Sequence, residues 1–107
     1  MENWDNNRTN NLILAILSLE NDNEVKNFLR DLLTKQEIIE FGKRWQAAKM
    51  LYKKRLYSDV IKETGLSSTT VERISKWLNN GMGGYKIVLS KLAHHHIYEI
   101  EVKKGLS

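Results

Sequence analysis

An all-α fold follows from three features of this sequence. No proline occurs in its 107 residues. Apolar residues return every three or four positions along most of the chain, which is the helical period. The interruptions are rich in asparagine or glycine: Asn6 to Asn11, Asn21-Asp22-Asn23, Thr64-Gly65-Leu66-Ser67 and Asn79 to Gly84. A chain of 107 residues is expected to form a single domain, 1–107. With 41% apolar and 28% charged residues its composition is that of a folded domain, not a disordered one.

The first helix is expected from about Asn11 to Leu19. Leu12, Ile13, Leu14, Ala15, Ile16, Leu17 and Leu19 make it apolar on nearly every side, and such a helix has to be buried all round. A domain this small hides only about 60–65% of its surface. The economical solution is a homodimer in which this helix packs against the partner chain. Residues 1–10 before it and 97–107 at the far end are the segments with room to be flexible.

A second helix is expected after Asn21-Asp22-Asn23, with Val25, Phe28, Leu29, Leu32 and Leu33 on one face. Thr34-Lys35-Gln36-Glu37 then reads as a capping box: the Thr34 oxygen takes a backbone N–H three residues on, and Glu37 reaches back. That opens a long helix to about Tyr52, striped by Ile38, Phe41, Trp45, Ala48 and Tyr52. Gly42 sits inside it. A mid-helix glycine costs about 1 kcal/mol against alanine, which implies that something packs closely against the backbone there.

The segment from Tyr57 to about Leu78 carries a helix-turn-helix pattern. Ser58 can cap a short helix whose inward residues are Val60 and Ile61. Gly65 ends it as the left-handed residue, Leu66 plugs the gap between the helices, and Ser67 caps the second one. Val71, Ile74 and Leu78 return at spacings of three and four as the buried stripe. The fifth position of the motif normally holds a small residue; here it is Ile61, which widens the crossing.

The outward chemistry of the second helix is what remains: Ser68, Thr69, Thr70, Glu72, Arg73 and Lys76, with Ser67 at its start. Short hydroxyls at a helix N-terminus suit base edges or phosphates. Arg73 can pair bidentately with guanine or clamp a phosphate, and Lys76 can hold a phosphate. Glu72 can accept from a cytosine amino group or pair with Lys76 four residues on. Lys53, Lys54 and Arg55 stand upstream to hold the DNA backbone.

Charge distribution points the same way. Residues 1–42 carry four basic and eight acidic groups, residues 43–77 nine basic and three acidic, and the remainder four and two. A basic middle beside an acidic first third is the footprint of a surface that meets a polyanion.

Other features carry less. The cysteine-free sequence excludes thiolate metal sites, disulfides and cysteine nucleophiles. His94-His95-His96 cannot all face one ion from a regular helix, and no metal site is expected. Gly81-x-Gly83-Gly84 follows a helix and lacks the spacing of a nucleotide loop. No nucleophile–base or carboxylate pair stands in a recognisable frame, so no enzyme is expected. The opening Met1-Glu-Asn-Trp-Asp has no signal-peptide character, and the longest apolar run, Leu12–Leu17, is far below the roughly 20 residues of a membrane span. A cytoplasmic protein without membrane contact is expected.

The order Leu32-Leu33-Thr34-x-x-Glu37, Gly42-x-Arg44 and a helix-turn-helix ending in Arg73 resembles the tryptophan repressor family. Ala48-Lys49-Met50-Leu51, Glu63-Thr64-Gly65, Leu78-Asn79-x-Gly81 and Gly84-Tyr85-Lys86 are similar to its YerC/YecD-type branch. The likeness spans about residues 28 to 92, with one extra residue near Lys53-Lys54-Arg55 relative to the tryptophan repressor proper. It implies an intertwined helical homodimer that regulates transcription by contacting double-stranded operator DNA through paired recognition helices. In the tryptophan-binding members a threonine and two arginines line the indole pocket, matching Thr34, Arg44 and Arg73. A glycine follows the second arginine there, with a serine three positions further; this chain has Ile74 and Trp77. Those two side chains are expected to exclude L-tryptophan as corepressor. The alternative to a repressor-like regulator is a helical protein-interaction module that keeps the fold without specific DNA binding.

Overall fold

The computed structural model describes residues 3–94. They form six helices and no strand: α1 (Asn7–Leu17), α2 (Asp22–Leu32), α3 (Lys35–Tyr52), α4 (Tyr57–Thr64), α5 (Ser68–Asn80) and α6, which occupies 84–94. None of these helices is long and apolar enough to cross a membrane. The chain divides into two compact units, Met1–Ile39 and Glu40–Ser107. His95, His96 and the tail from 97 onward lie outside the described residues.

Side-chain caps set the helix starts in the first unit. The Asn6 oxygen accepts the Thr9 N–H at 3.1 Å, so α1 begins at Asn7 instead of Asn11, and residues 7–10 belong to the helix, not to a flexible lead. The helix ends at Leu17, leaving Leu19 outside it. Asn21 caps α2 by accepting the Glu24 N–H at 2.9 Å, while the Glu24 carboxylate accepts the Glu20 N–H at 2.9 Å. Asp22 and Asn23 therefore lie inside α2, although their composition predicts a break there. Thr34 and Glu37 close the expected capping box: the Glu37 N–H donates to Thr34 Oγ1 at 3.1 Å, and the Thr34 N–H donates to Glu37 Oε1 at 2.9 Å.

No described residue of this first unit is buried. Leu14 is 64% exposed and Leu17 74%, so the all-round burial that the composition of α1 demands is not met among the described residues of its unit.

The second unit has a core. Ala47, Ala48, Met50 and Leu51 of α3 meet Val60 of α4, Leu66 of the turn, Val71, Ile74 and Leu78 of α5, and Leu89 of α6. Trp45, Ile61 and Tyr85 pack against its edge. This corrects the expected α3 stripe in part. Ala48 is inward and Trp45 partly so, but Phe41 and Tyr52 are exposed and Ala47, Met50 and Leu51 take the inner positions. The reason is steric. Two adjacent alanines let neighbouring helices come close, and the side of α3 that carries them becomes the inner one.

Two glycines are required by the backbone. Gly65 stands at φ 74, the left-handed region that a side chain strains. At Gly81, the residue after α5, a Cβ would lie 2.4 Å from the Trp77 carbonyl oxygen, closer than atoms can approach. Gly42 is different: a Cβ built there meets nothing within 4 Å, so the expected close neighbour is not found among the described residues.

Two outcomes are expected. On the contacts of the chain alone, Gly42→Ala stabilises by about 1 kcal/mol through helix propensity, as measured by denaturant unfolding. A destabilisation that grows with protein concentration would instead report a neighbour from a second chain. The second concerns acid. The two Thr34 hydrogen bonds, the backbone one first, hold the Glu37 carboxyl below its ordinary 4.5. Its contribution to stability is complete above 4.5 and is lost as pH falls through the lowered value. Glu37→Gln keeps the box geometry without titrating, so the stability gap between the two proteins narrows below pH 4.5.

Candidate nucleic-acid interface

Helices α4 and α5 with the turn between them form the helix-turn-helix. Helix α4 starts at Tyr57 with Leu56 as its cap residue and no side-chain cap; Ser58, the expected cap, lies inside the first turn. The start is tied down from elsewhere, because the Tyr57 hydroxyl donates to Ser75 Oγ on α5 at 2.6 Å. At the far end the buried Thr64 hydroxyl donates to the Val60 carbonyl at 2.6 Å and accepts the Leu66 N–H at 3.2 Å. The Gly65 N–H closes on Ile61 O at 2.9 Å, and Leu66 is buried in the gap as expected. Ser67 caps α5 by accepting the Thr70 N–H at 3.1 Å, and its own hydroxyl donates to Thr70 Oγ1 at 3.0 Å.

The sides of α5 are thereby set. At about 100° per residue Val71, Ile74 and Leu78 share one side, and all three are buried in the core. Ser68, Thr69, Glu72, Arg73 and Lys76 are exposed and Thr70 is half-buried. The Glu72–Lys76 pair does not form: among the described residues the side-chain ion pairs are Arg44–Glu40 and Arg55–Glu63, together with an interaction of Arg8. Each charged group on the outer face of α5 is therefore open to a partner from outside. Ser67 is not open in this way, since its hydroxyl is spent on the cap.

The basic turn before α4 is less uniform than its sequence. The Lys54 N–H bonds Leu51 O and the Arg55 N–H bonds Met50 O, both at 3.0 Å, closing α3 through a left-handed residue. That residue is Lys54, at φ 64. A non-glycine residue held there carries about 1–3 kcal/mol of strain. Lys53 and Lys54 are exposed without a partner. Arg55 is not free. Its guanidinium meets Glu63 Oε1 at 2.7 Å, and that hydrogen bond and charge raise its pKa above the usual arginine value. To hold a phosphate it would have to leave Glu63.

The residues matched to an indole pocket have occupations of their own. Thr34 is committed to the capping box. Arg44 lies 3.6 Å from Glu40 as an i,i+4 pair and 5.8 Å over the Phe41 ring, with its Nε making no hydrogen bond. Arg73 is on the exposed side of α5. Ile74 is fully buried in the core, and Trp77, 48% exposed, lines an apolar groove of about 640 Å³ beside a Trp45–Tyr85 ring stack. The sequence pattern predicts neither the Tyr57–Ser75 nor the Arg55–Glu63 contact. Tyr57 on α4 reaches Ser75 on α5, and Glu63 on α4 reaches Arg55 in the turn before it, so neither pair lies within one helix where a period could announce it.

The model of the Trp repressor protein family matches residues 7–93 of the chain. YerC of Bacillus subtilis (strain 168) is 35% identical over 81 residues, 76% of this chain and 78% of that protein. A solved TrpR-like protein from Eubacterium eligens ATCC 27750 superposes with a TM-score of 0.79 at 36% identity, over 84% of this chain and 93% of that one. The crystal structure of a candidate Trp repressor from Staphylococcus aureus does so with a TM-score of 0.77 at 33% identity, over 82% and 88%. The chain that presents this helix-turn-helix belongs to the Trp repressor family, as a TrpR-like protein of the YerC type.

Proposed function

We propose that the protein is a sequence-specific, repressor-like regulator that binds double-stranded DNA as a homodimer through α4 and α5. One observation carries the reading. The inner side of α5 is locked by burial, while the polar groups opposite it, Ser68, Thr69, Glu72, Arg73 and Lys76, are exposed and unpaired. Arg73 and Glu72 are suited to base edges, Lys76, Lys53 and Lys54 to phosphates, and Thr70 to the backbone near the helix start. Arg55 joins them only by exchanging Glu63 for phosphate. Family membership supports the same role and a non-enzymatic one. Such a regulator works in the cytoplasm, and its DNA contacts need no metal.

The homodimer is supported by what the chain leaves uncovered. Leu12, Ile13, Leu14, Ile16 and Leu17 of α1 are all exposed, as are Met82 and Trp77 along the apolar groove. Exposed apolar residues grouped in this way, on α1 and separately along the groove, mark interfaces. Two recognition helices in such a dimer would address half-sites about 34 Å apart.

Selection of bound sequences from random duplexes should recover a two-fold symmetric site. The affinity for it should fall with salt at a log–log slope of about −0.9 per phosphate contacted. Arg73→Ala is expected to cost about 1–3 kcal/mol and relax specificity, while Lys53→Ala weakens all sequences alike and lowers the salt slope by about one. Weak binding without sequence preference would favour the protein-interaction module instead.

We further propose that L-tryptophan is not the corepressor. Support comes from Ile74 and Trp77, which stand where the tryptophan-binding members are expected to have glycine and serine, and from Thr34 and Arg44, already engaged. Titration calorimetry should give no binding heat for L-tryptophan; micromolar affinity would overturn this.

A further inference from the structure

On the flank of α5 opposite Trp77, a cleft of about 700 Å³ opens between the end of α3, the start of α4, α5 and α6. Its floor is apolar, formed by the buried Leu51 and Leu78. Tyr52 and Tyr57 line it with aromatic rings, and the Tyr57–Ser75 hydrogen bond lies within its lining. Among the described residues no carboxylate lines it. Its cations are Lys54, Lys86 and Arg55, and of these only Arg55 has an acidic partner, Glu63. Lys54 and Lys86 are exposed and unpaired at the same cleft.

An apolar floor, aromatic walls and two uncompensated cations are complementary to one class of small molecule: an anion with a compact hydrophobic body. An inorganic ion would leave the floor wet, and a neutral apolar molecule would leave both ammonium groups unanswered. We propose that this cleft binds a small aromatic or branched aliphatic carboxylate, with the carboxylate between Lys54 and Lys86 and the apolar body over Leu51 and Leu78. Binding at the cleft is independent of any role with DNA. Its consequence rests on the regulator reading: Lys54 cannot serve the ligand and a DNA phosphate together, so the occupied protein holds DNA less tightly.

The test is an amide NMR titration of the full-length, ¹⁵N-labelled protein with phenylacetate at constant ionic strength. Phenylethanol and inorganic phosphate are titrated in parallel. Phenylacetate should shift the signals of residues 51–57, 75–79 and 86 saturably, while the neutral alcohol and phosphate do not. Lys86→Ala, an exposed change on α6 outside the DNA-contacting set, should weaken phenylacetate about tenfold, and Lys86→Arg should restore most of it. Absence of saturable shifts, shifts as large with phosphate, or an undiminished response in Lys86→Ala would overturn the site. With the selected duplex, phenylacetate should lower DNA affinity in the parent, and about tenfold more of it should be needed for the same effect in Lys86→Ala. Unchanged affinity would overturn the competition at Lys54. Loss of all DNA binding would overturn the regulator reading and leave the cleft to be judged by the titration alone.

Discussion

Everything α5 presents outward depends on how its inner side is held. Val60, Val71 and Ile74 are packed with Ala47 and Ala48 of α3 to complete exclusion of water. Burying one such side chain is worth about 1.5–3 kcal/mol, and the cluster turns a thirteen-residue helix into a rigid presenter. Small residues on α3 matter as much as large ones on α5. A larger side chain at Ala47 or Ala48 would have no space to enter and would push α4 and α5 away. The turn adds a second, polar restraint: Thr64, buried, ties the Val60 carbonyl to the Leu66 N–H across Gly65. Rotation of α5 is thus fixed on one side by shape and at its start by hydrogen bonds.

The first unit obeys the opposite logic. Its helices are well capped by Asn6, Asn21 and the Thr34–Glu37 box, so their ends are locally satisfied. Yet caps contribute about 1 kcal/mol each, and isolated helices of eleven residues are marginal in water. Helix stability in proteins comes mainly from an apolar face removed from solvent, and here that face is uncovered. The proposed homodimer would supply the missing burial, and the open space at Gly42 is compatible with a neighbour from outside the chain.

Charge is organised more finely than a count of basic residues suggests. Three consecutive cations before α4 share one turn but not one role. Arg55 is paired with Glu63, Lys54 is held left-handed at the edge of a cleft, and Lys53 is simply exposed. An ion pair between exposed groups is worth little by itself, so Arg55 can change partners at small cost. The proposed competition at Lys54 draws on the same flexibility.

Local rules made much of the fold legible. The Thr34 box, Gly65 as a left-handed stop, Leu66 as the plug, the Ser67 cap and the inner stripe of α5 all follow from spacings of one to four residues. The same rules erred where several residues compete for one job. Asn6 outbid later asparagines for the start of α1, and Leu56 preceded Ser58 at the start of α4. The sequence by itself therefore determined that the chain is helical, where the motif turns and which side of α5 faces out. Only the tertiary structure decided that Ala47 and Leu51 displace Phe41 and Tyr52 from the core, that Glu63 takes Arg55, and that Tyr57 latches onto Ser75. Those outcomes depend on contacts between different elements, which packing alone brings within reach.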